Sequence, residues 1–219
     1  MKSQNKSITK VLVIYFIIFY GAWGLSEVLL NNIQTPVFYS IVREGIVKNL
    51  IWTLPAILLI KKYQDSMEIP LKDMFTNRVN WIKYLPIFLL FTAYILFGTY
   101  RRYGSISISS TFTISDIIVV LFVGLTEELV FRGWLLNATI KNKNDDDIYL
   151  PILINSLLFV SIHFPKWINN GVFWTNIQST AILQIVFLSW IFSYIFYKSK
   201  NILIPITLHM YWDLLVFMF

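Results

Sequence analysis

The sequence of 219 residues has no cysteine and only two histidines. Without thiols there is no disulfide to staple the fold, no thiolate metal site and no cysteine nucleophile. Charge is scarce as well: 14% of residues are Asp, Glu, Lys or Arg, against about a quarter in ordinary soluble domains. Glycine-rich phosphate loops, a serine elbow and internal repeats are all missing. What fills the chain is apolar: 57% of all residues are hydrophobic and 17% are aromatic, with a mean hydropathy of +0.64. The apolar runs are too many and too long for one soluble core, and each approaches the ~20 residues that carry a helix across ~30 Å of hydrocarbon. The expected fold is an all-α, polytopic helical membrane protein, residues 1–219 forming a single membrane domain.

Apolar length predicts about seven transmembrane helices, near residues 11–30, 42–60, 82–100, 114–140, 148–165, 178–197 and 202–219. Pro55 and Pro86 fall inside or near the start of spans, where neighbours satisfy the freed carbonyls. The basic start, Met1 to Lys10, resembles a signal peptide but lacks a small-residue cleavage site, so the first span is expected to be retained. Twelve Lys and Arg residues on one side of the membrane stand against four on the other, Arg43, Arg101, Arg102 and Lys166. The positive-inside rule then places the N-terminus in the cytoplasm. The net charge of +6 is spread over loops and span ends rather than along one face, which argues against a nucleic-acid partner. Residues 61–80 read equally as a short interfacial helix or a polar linker. Asp145-Asp146-Asp147 lacks the alternating acids and glycine of a calcium loop and reads as a solvated turn.

Against this background, Thr126-Glu127-Glu128-Leu129-Val130-Phe131-Arg132 puts three charges into an apolar span. Each costs about 2.5–3.5 kcal/mol to insert on translocation scales, so the cluster points to function. Glu128 and Arg132 are spaced i, i+4, the helical ion-pair order, while Glu127 points about 100° away from Glu128. Both histidines also lie in expected spans: Phe159-Val160-Ser161-Ile162-His163 and His209-Met210-Tyr211-Trp212-Asp213. His209 and Asp213 share one helix face. At ~1.5 Å per residue, Glu127, His163 and Asp213 reach roughly 20, 22 and 17 Å into the membrane, with His209 a turn nearer the cytosol. A buried ion-pair cluster or satisfied core histidines is the structural alternative. Phe159 reads as packing, Asn155 and Ser156 as interhelical hydrogen-bonding groups, Glu27 and Gln184 as structural polar residues. Tyr103, Trp167, Trp174 and Trp212 read as interfacial anchors, and Gly124 and Gly133 as points of close helix approach.

Glu127-Glu128-x-x-x-Arg132, Phe159-x-x-x-His163 and His209-x-x-x-Asp213, in this order on three spans, resemble the three-motif signature of the CPBP intramembrane proteases. That family includes the CAAX prenyl endopeptidases and bacteriocin-processing or abortive-infection proteins. The resemblance covers about 116–219, leaving 1–113 as accessory spans and 114–219 as the catalytic core. It implies that Glu127 and His163 activate water, with His209 and Asp213 assisting and Glu128 and Arg132 supporting. Aspartate stands at 213 where CAAX enzymes have asparagine. Two mechanisms follow. Either Glu127, His163, His209 and Asp213 hold a divalent metal such as zinc, or the site is metal-free and His209 and Asp213 steady the tetrahedral intermediate. The expected function is an intramembrane endopeptidase of a bacterial cell membrane. Its expected partners are membrane lipid and a peptide or protein substrate, prenylated or a secreted peptide precursor. The alternative is a non-proteolytic protein, either a bacteriocin immunity factor or a proton- or ion-coupled carrier, although the inverted repeats of a carrier are not evident.

Overall fold

A computed structural model describes residues 2–30 and 36–219, the side chains of 2–7 and 36 lying outside the described set. The topology argument from Lys2 and Lys6 therefore falls outside the described side chains. Among the described residues every regular element is helical. Helix α1 spans Lys2–Leu30. Next, α2 (Pro36–Ser40) continues without a break through π-helical Ile41–Val47 and Asn49–Thr53 into α3 (Leu54–Lys62). Pro55 sits at the start of α3. It has no N–H for the turn behind it, and the wider π turns upstream absorb that loss.

Residues 63–80 fold back onto the core as α4 (Leu71–Thr76) with Met67, Ile69 and Met74 buried, so the segment is not a free linker. Two amide clasps hold it. Asn137 donates to the Ile69 carbonyl at 2.8 Å and accepts from the Ile69 N–H at 2.9 Å. Asn77 donates to the Lys200 carbonyl at 2.8 Å, and Asn201 donates to that of Asn77 at 2.7 Å.

Helix α5 (Leu85–Tyr103) opens on Pro86 and stops at Gly104, whose φ of 71° terminates the helix in the left-handed region that glycine adopts without a Cβ clash. Helix α6 (Ile114–Glu128) is started by a Thr113/Asp116 capping box and runs through π-helical Leu129–Leu136 into α7 (Asn137–Thr139). After the exposed acidic turn come α8 (Tyr149–Ser161), α9 (Phe164–Asn169), α10 (Phe173–Gln178), α11 (Ala181–Ser199) and α12 (Leu203–Met218). In the acidic turn Asp145 accepts from Tyr197 and Lys198, each at 2.8 Å. It works as a tie to the end of α11.

Among the described residues four stretches are long and apolar enough to cross a membrane: Ile8–Leu30, Trp81–Tyr103, Asp145–Asn169 and Ala181–Ser199, with Leu203–Met218 a shorter apolar helix. They are consistent with an integral membrane protein. The rods at 36–62 and 114–139 fail that criterion because each carries several ionised residues. Arg43, assigned by sequence to an external loop, is one of these; it lies inside the first rod and is buried.

An aromatic core joins the N-terminal helices to the rest. Trp52 meets Phe19 and Trp23 edge-on, both at 4.8 Å, and lies 6.4 Å from Phe131. Trp167 is buried, and Trp212 packs at 4.9 Å on Phe91, so both leave the set of interfacial anchors, whereas Tyr103 and Trp174 are exposed. Helices α6 and α12 touch at Gly124. A Cβ there would stand 2.6 Å from Met210 Cγ, 3.2 Å from the Ile206 carbonyl and 3.3 Å from the Met210 nitrogen. Met210 can swing aside but the backbone cannot, so Gly124→Ala should push α12 away from α6 and cost about 1–3 kcal/mol. A lowered melting temperature in detergent is the readout; an unchanged one would show that the helices are not locked there.

Candidate active site

The two motif-bearing helices that meet at Gly124 also carry Glu127, Glu128, His209 and Asp213. One turn beyond the contact, His209 Nδ1 lies 2.9 Å from Glu128 Oε1. A carboxylate accepts, so Nδ1 carries the proton and Nε2 is turned the other way. Nε2 faces two further carboxylates, Asp213 Oδ2 at 3.5 Å and Glu127 Oε2 at 4.0 Å. The second separation exceeds a direct hydrogen bond and is of the kind bridged by water.

Glu128 is completely buried and shares its Oε1 with Arg132 Nη1 at 2.9 Å. All three nitrogens of the guanidinium are engaged. Its Nη2 donates to the Ser189 carbonyl and hydroxyl at 2.9 and 2.7 Å, and its Nε donates to Ser193 at 3.3 Å. Ser193 passes on to Asn155, which donates to the Phe131 carbonyl at 2.9 Å. Ser156, in contrast, bonds only back along its own helix, to the Ile152 carbonyl.

His163 lies in the break between α8 and α9, two residues before Pro165, rather than within a continuous helix. Its Nδ1 is buried without a hydrogen-bond partner among the described residues. Phe159 is the wedge that spaces the two histidines: its ring centroid is 5.8 Å from that of His163 and 5.9 Å from that of His209, with the Arg132 guanidinium 4.7 Å away on the ring. The break at His163 is held from α1, since Trp23 Nε1 donates to the Ile162 carbonyl at 3.1 Å.

Sequence reasoning missed the nearest partner of Glu127. Lys48, buried in the 36–62 rod, donates to Glu127 Oε1 at 3.0 Å and pairs with Glu44 Oε2 at 2.8 Å. Behind it, Glu44 pairs with Arg43, and Arg43 Nε donates to Glu27 at 2.7 Å. Glu44-x-x-x-Lys48 has the same spacing that singled out Glu128 and Arg132, so the signal was present in the sequence.

Whether Glu127, His163, His209 and Asp213 fit a metal can be judged from these contacts. An ammonium occupies Glu127 Oε1, and His209 Nδ1 is committed to Glu128. Among the described residues no three His, Cys, Asp or Glu side chains are grouped to hold a metal ion. As arranged, the four do not form a ligand set.

Residues 109–215 match the family model described as "Type II CAAX prenyl endopeptidase Rce1-like". This segment is a Rce1-like domain of the CPBP family, a family of proteases. The Rce1-like domain contains Glu127, Glu128, Arg132, His163, His209 and Asp213, whereas Lys48 and its partners Glu27, Arg43 and Glu44 lie outside it. No curated protein and no solved structure matches the chain.

Proposed function

We propose that the chain is an intramembrane endopeptidase in which Glu127 and His163 activate water, assisted by His209 and Asp213. One observation carries the reading: within a Rce1-like domain, Glu127 Oε2, His209 Nε2 and Asp213 Oδ2 face one another across gaps of 4.0 and 3.5 Å. A water between Glu127 and His209 loses a proton to Glu127 as its oxygen bonds to the substrate's carbonyl carbon. The carbonyl oxygen becomes an oxyanion. In this mechanism His209, protonated on both ring nitrogens, presents Nε2–H to that charge, and a neutral Asp213 adds its O–H. Glu127 then returns the proton to the amide nitrogen as the C–N bond breaks, leaving a new carboxyl and a new amine. His163, whose ring shares Phe159 with that of His209, acts with Glu127 on the same water in this reading.

Membership in a protease family supports a peptide or protein substrate. A prenylated C-terminus and a secreted peptide precursor both suit a site reached through the bilayer. Seven crossings, with the charged rods at 36–62 and 114–139 shielded by their neighbours, and a cytoplasmic N-terminus in a bacterial cell membrane complete the proposal. It is supported by the excess of loop Lys and Arg on one side, which persists after Arg43 is removed from the loops.

The test is cleavage of membrane-anchored peptides by the purified, liposome-reconstituted protein before and after exhaustive chelation, with metal analysis of the same sample. Cleavage should persist at zero metal content. Loss of cleavage on chelation, restored by zinc, would show that the side chains rearrange around a metal and would overturn the metal-free mechanism.

A further inference from the structure

We infer that Lys48 is a positioning residue of this site: its ammonium fixes the Glu127 carboxylate, so the catalytic glutamate is set by a helix outside the Rce1-like domain. The inference rests on the hydrolytic reading above. Lys48 lies 79 positions before Glu127 in the chain, and its seat is built from several sides. Glu44 faces it at 2.8 Å, and the indoles of Trp52 and Trp23 lie 4.8 and 5.2 Å from Nζ. The ammonium stands between two carboxylates, 3.0 Å from Glu127 Oε1 and 2.8 Å from Glu44 Oε2, and its three N–H groups can serve both.

Glutamate has three rotatable side-chain bonds, and Glu127 must aim one oxygen at a water. With Oε1 held by Lys48, Oε2 is the oxygen left facing His209 Nε2. A displacement of about 1 Å at a reacting group costs on the order of 10²-fold in rate, so this restraint bears on turnover directly. Glu44 is pinned by Arg43, and Arg43 by Glu27 on α1 at 2.7 Å, so the ammonium's position is fixed from the N-terminal helices.

A buried lysine that merely neutralised Glu127 would give the same fold, and kinetics separate the two roles. In the liposome-reconstituted full chain, the probe is the best-cleaved member of a pool of membrane-anchored peptides, farnesylated and unmodified. Lys48→Met combined with Glu44→Gln removes one cation and one carboxylate together, so the net buried charge is unchanged. Its kcat should fall about 100-fold with KM changed less than about threefold, while Lys48→Arg recovers kcat to within about tenfold. Wild-type kcat in the double variant, with Glu127→Gln inactive, would overturn the role of Lys48 and leave the hydrolytic reading standing. Cleavage by Glu127→Gln at the wild-type rate would sink the reading itself. A substrate-free readout covers the case in which the double variant does not fold. Lys48→Arg and Glu127→Asp, both charge-preserving, form a double-mutant cycle in melting temperature. Non-additive shifts are expected, and additive shifts would show that the two residues are not coupled and would overturn the inference.

Discussion

Glu127→Gln should lower peptide hydrolysis by about 10²–10⁴-fold, the range lost with a general base, in a protein that still folds. Gln is isosteric and its carbonyl oxygen can still accept from Lys48. Lys48 in turn keeps Glu44 at 2.8 Å, so no buried cation is stranded. What disappears is the basic oxygen facing His209 Nε2 across 4.0 Å. The amide that replaces it accepts no proton at accessible pH. Steady-state cleavage of a membrane-anchored peptide, read beside a melting curve in detergent, separates the two quantities. A variant that melts like wild type and does not cleave is the expected outcome; one that cleaves would remove Glu127 from the chemistry.

Arg132→Ala should act in the opposite way, on the fold. The guanidinium has no exposed surface, binds Glu128, Ser189 and Ser193, and lies 4.7 Å from the Phe159 centroid. Its removal leaves the Glu128 carboxylate buried with only His209 beside it and opens a cavity between α6, α8 and α11. Breaking one side of a buried ion pair typically costs about 3–5 kcal/mol, a large part of the roughly 5–15 kcal/mol that holds a domain together. Low yield, aggregation on size exclusion and a lowered melting temperature should follow. Arg132→Lys should recover little, because a single ammonium cannot reproduce the forked contacts to the two serines and Glu128. A monodisperse Arg132→Ala protein with a wild-type melting temperature would show that the pair is dispensable.

Contacts within one helix were legible in the sequence because helical spacing alone dictates them. Glu128 with Arg132 and His209 with Asp213 are both of this kind, and Gly124 announced a close approach because nothing smaller is available. Contacts between helices were not. The expected division gave Glu127 to the histidines and Glu128 to Arg132, yet Glu128 also takes His209 Nδ1, at 2.9 Å. Helix rotation decides that, and rotation follows from packing at Gly124 rather than from spacing. The Glu44–Lys48 spacing is readable in the sequence, but the pairing of Lys48 with Glu127 joins two helices, and spacing does not give it. The π-helical turns at Ile41–Val47 and Leu129–Leu136 shift the side-chain register that ideal helices imply, so depth counted at a fixed rise is least secure there. His163 lies within the apolar stretch Asp145–Asn169, as the expected span 148–165 implies, and Pro165 two residues later marks the joint between α8 and α9 inside it.

Incubating the reconstituted protein with membrane-anchored peptides in H2(18)O, and weighing the products by mass spectrometry, measures the proposed reaction itself. One heavy oxygen at each new C-terminus with the wild-type chain, and none with Glu127→Gln, is the expected result. Intact peptides from the wild-type chain across the whole pool, or labelled products from Glu127→Gln, would contradict hydrolysis by a Glu127-activated water.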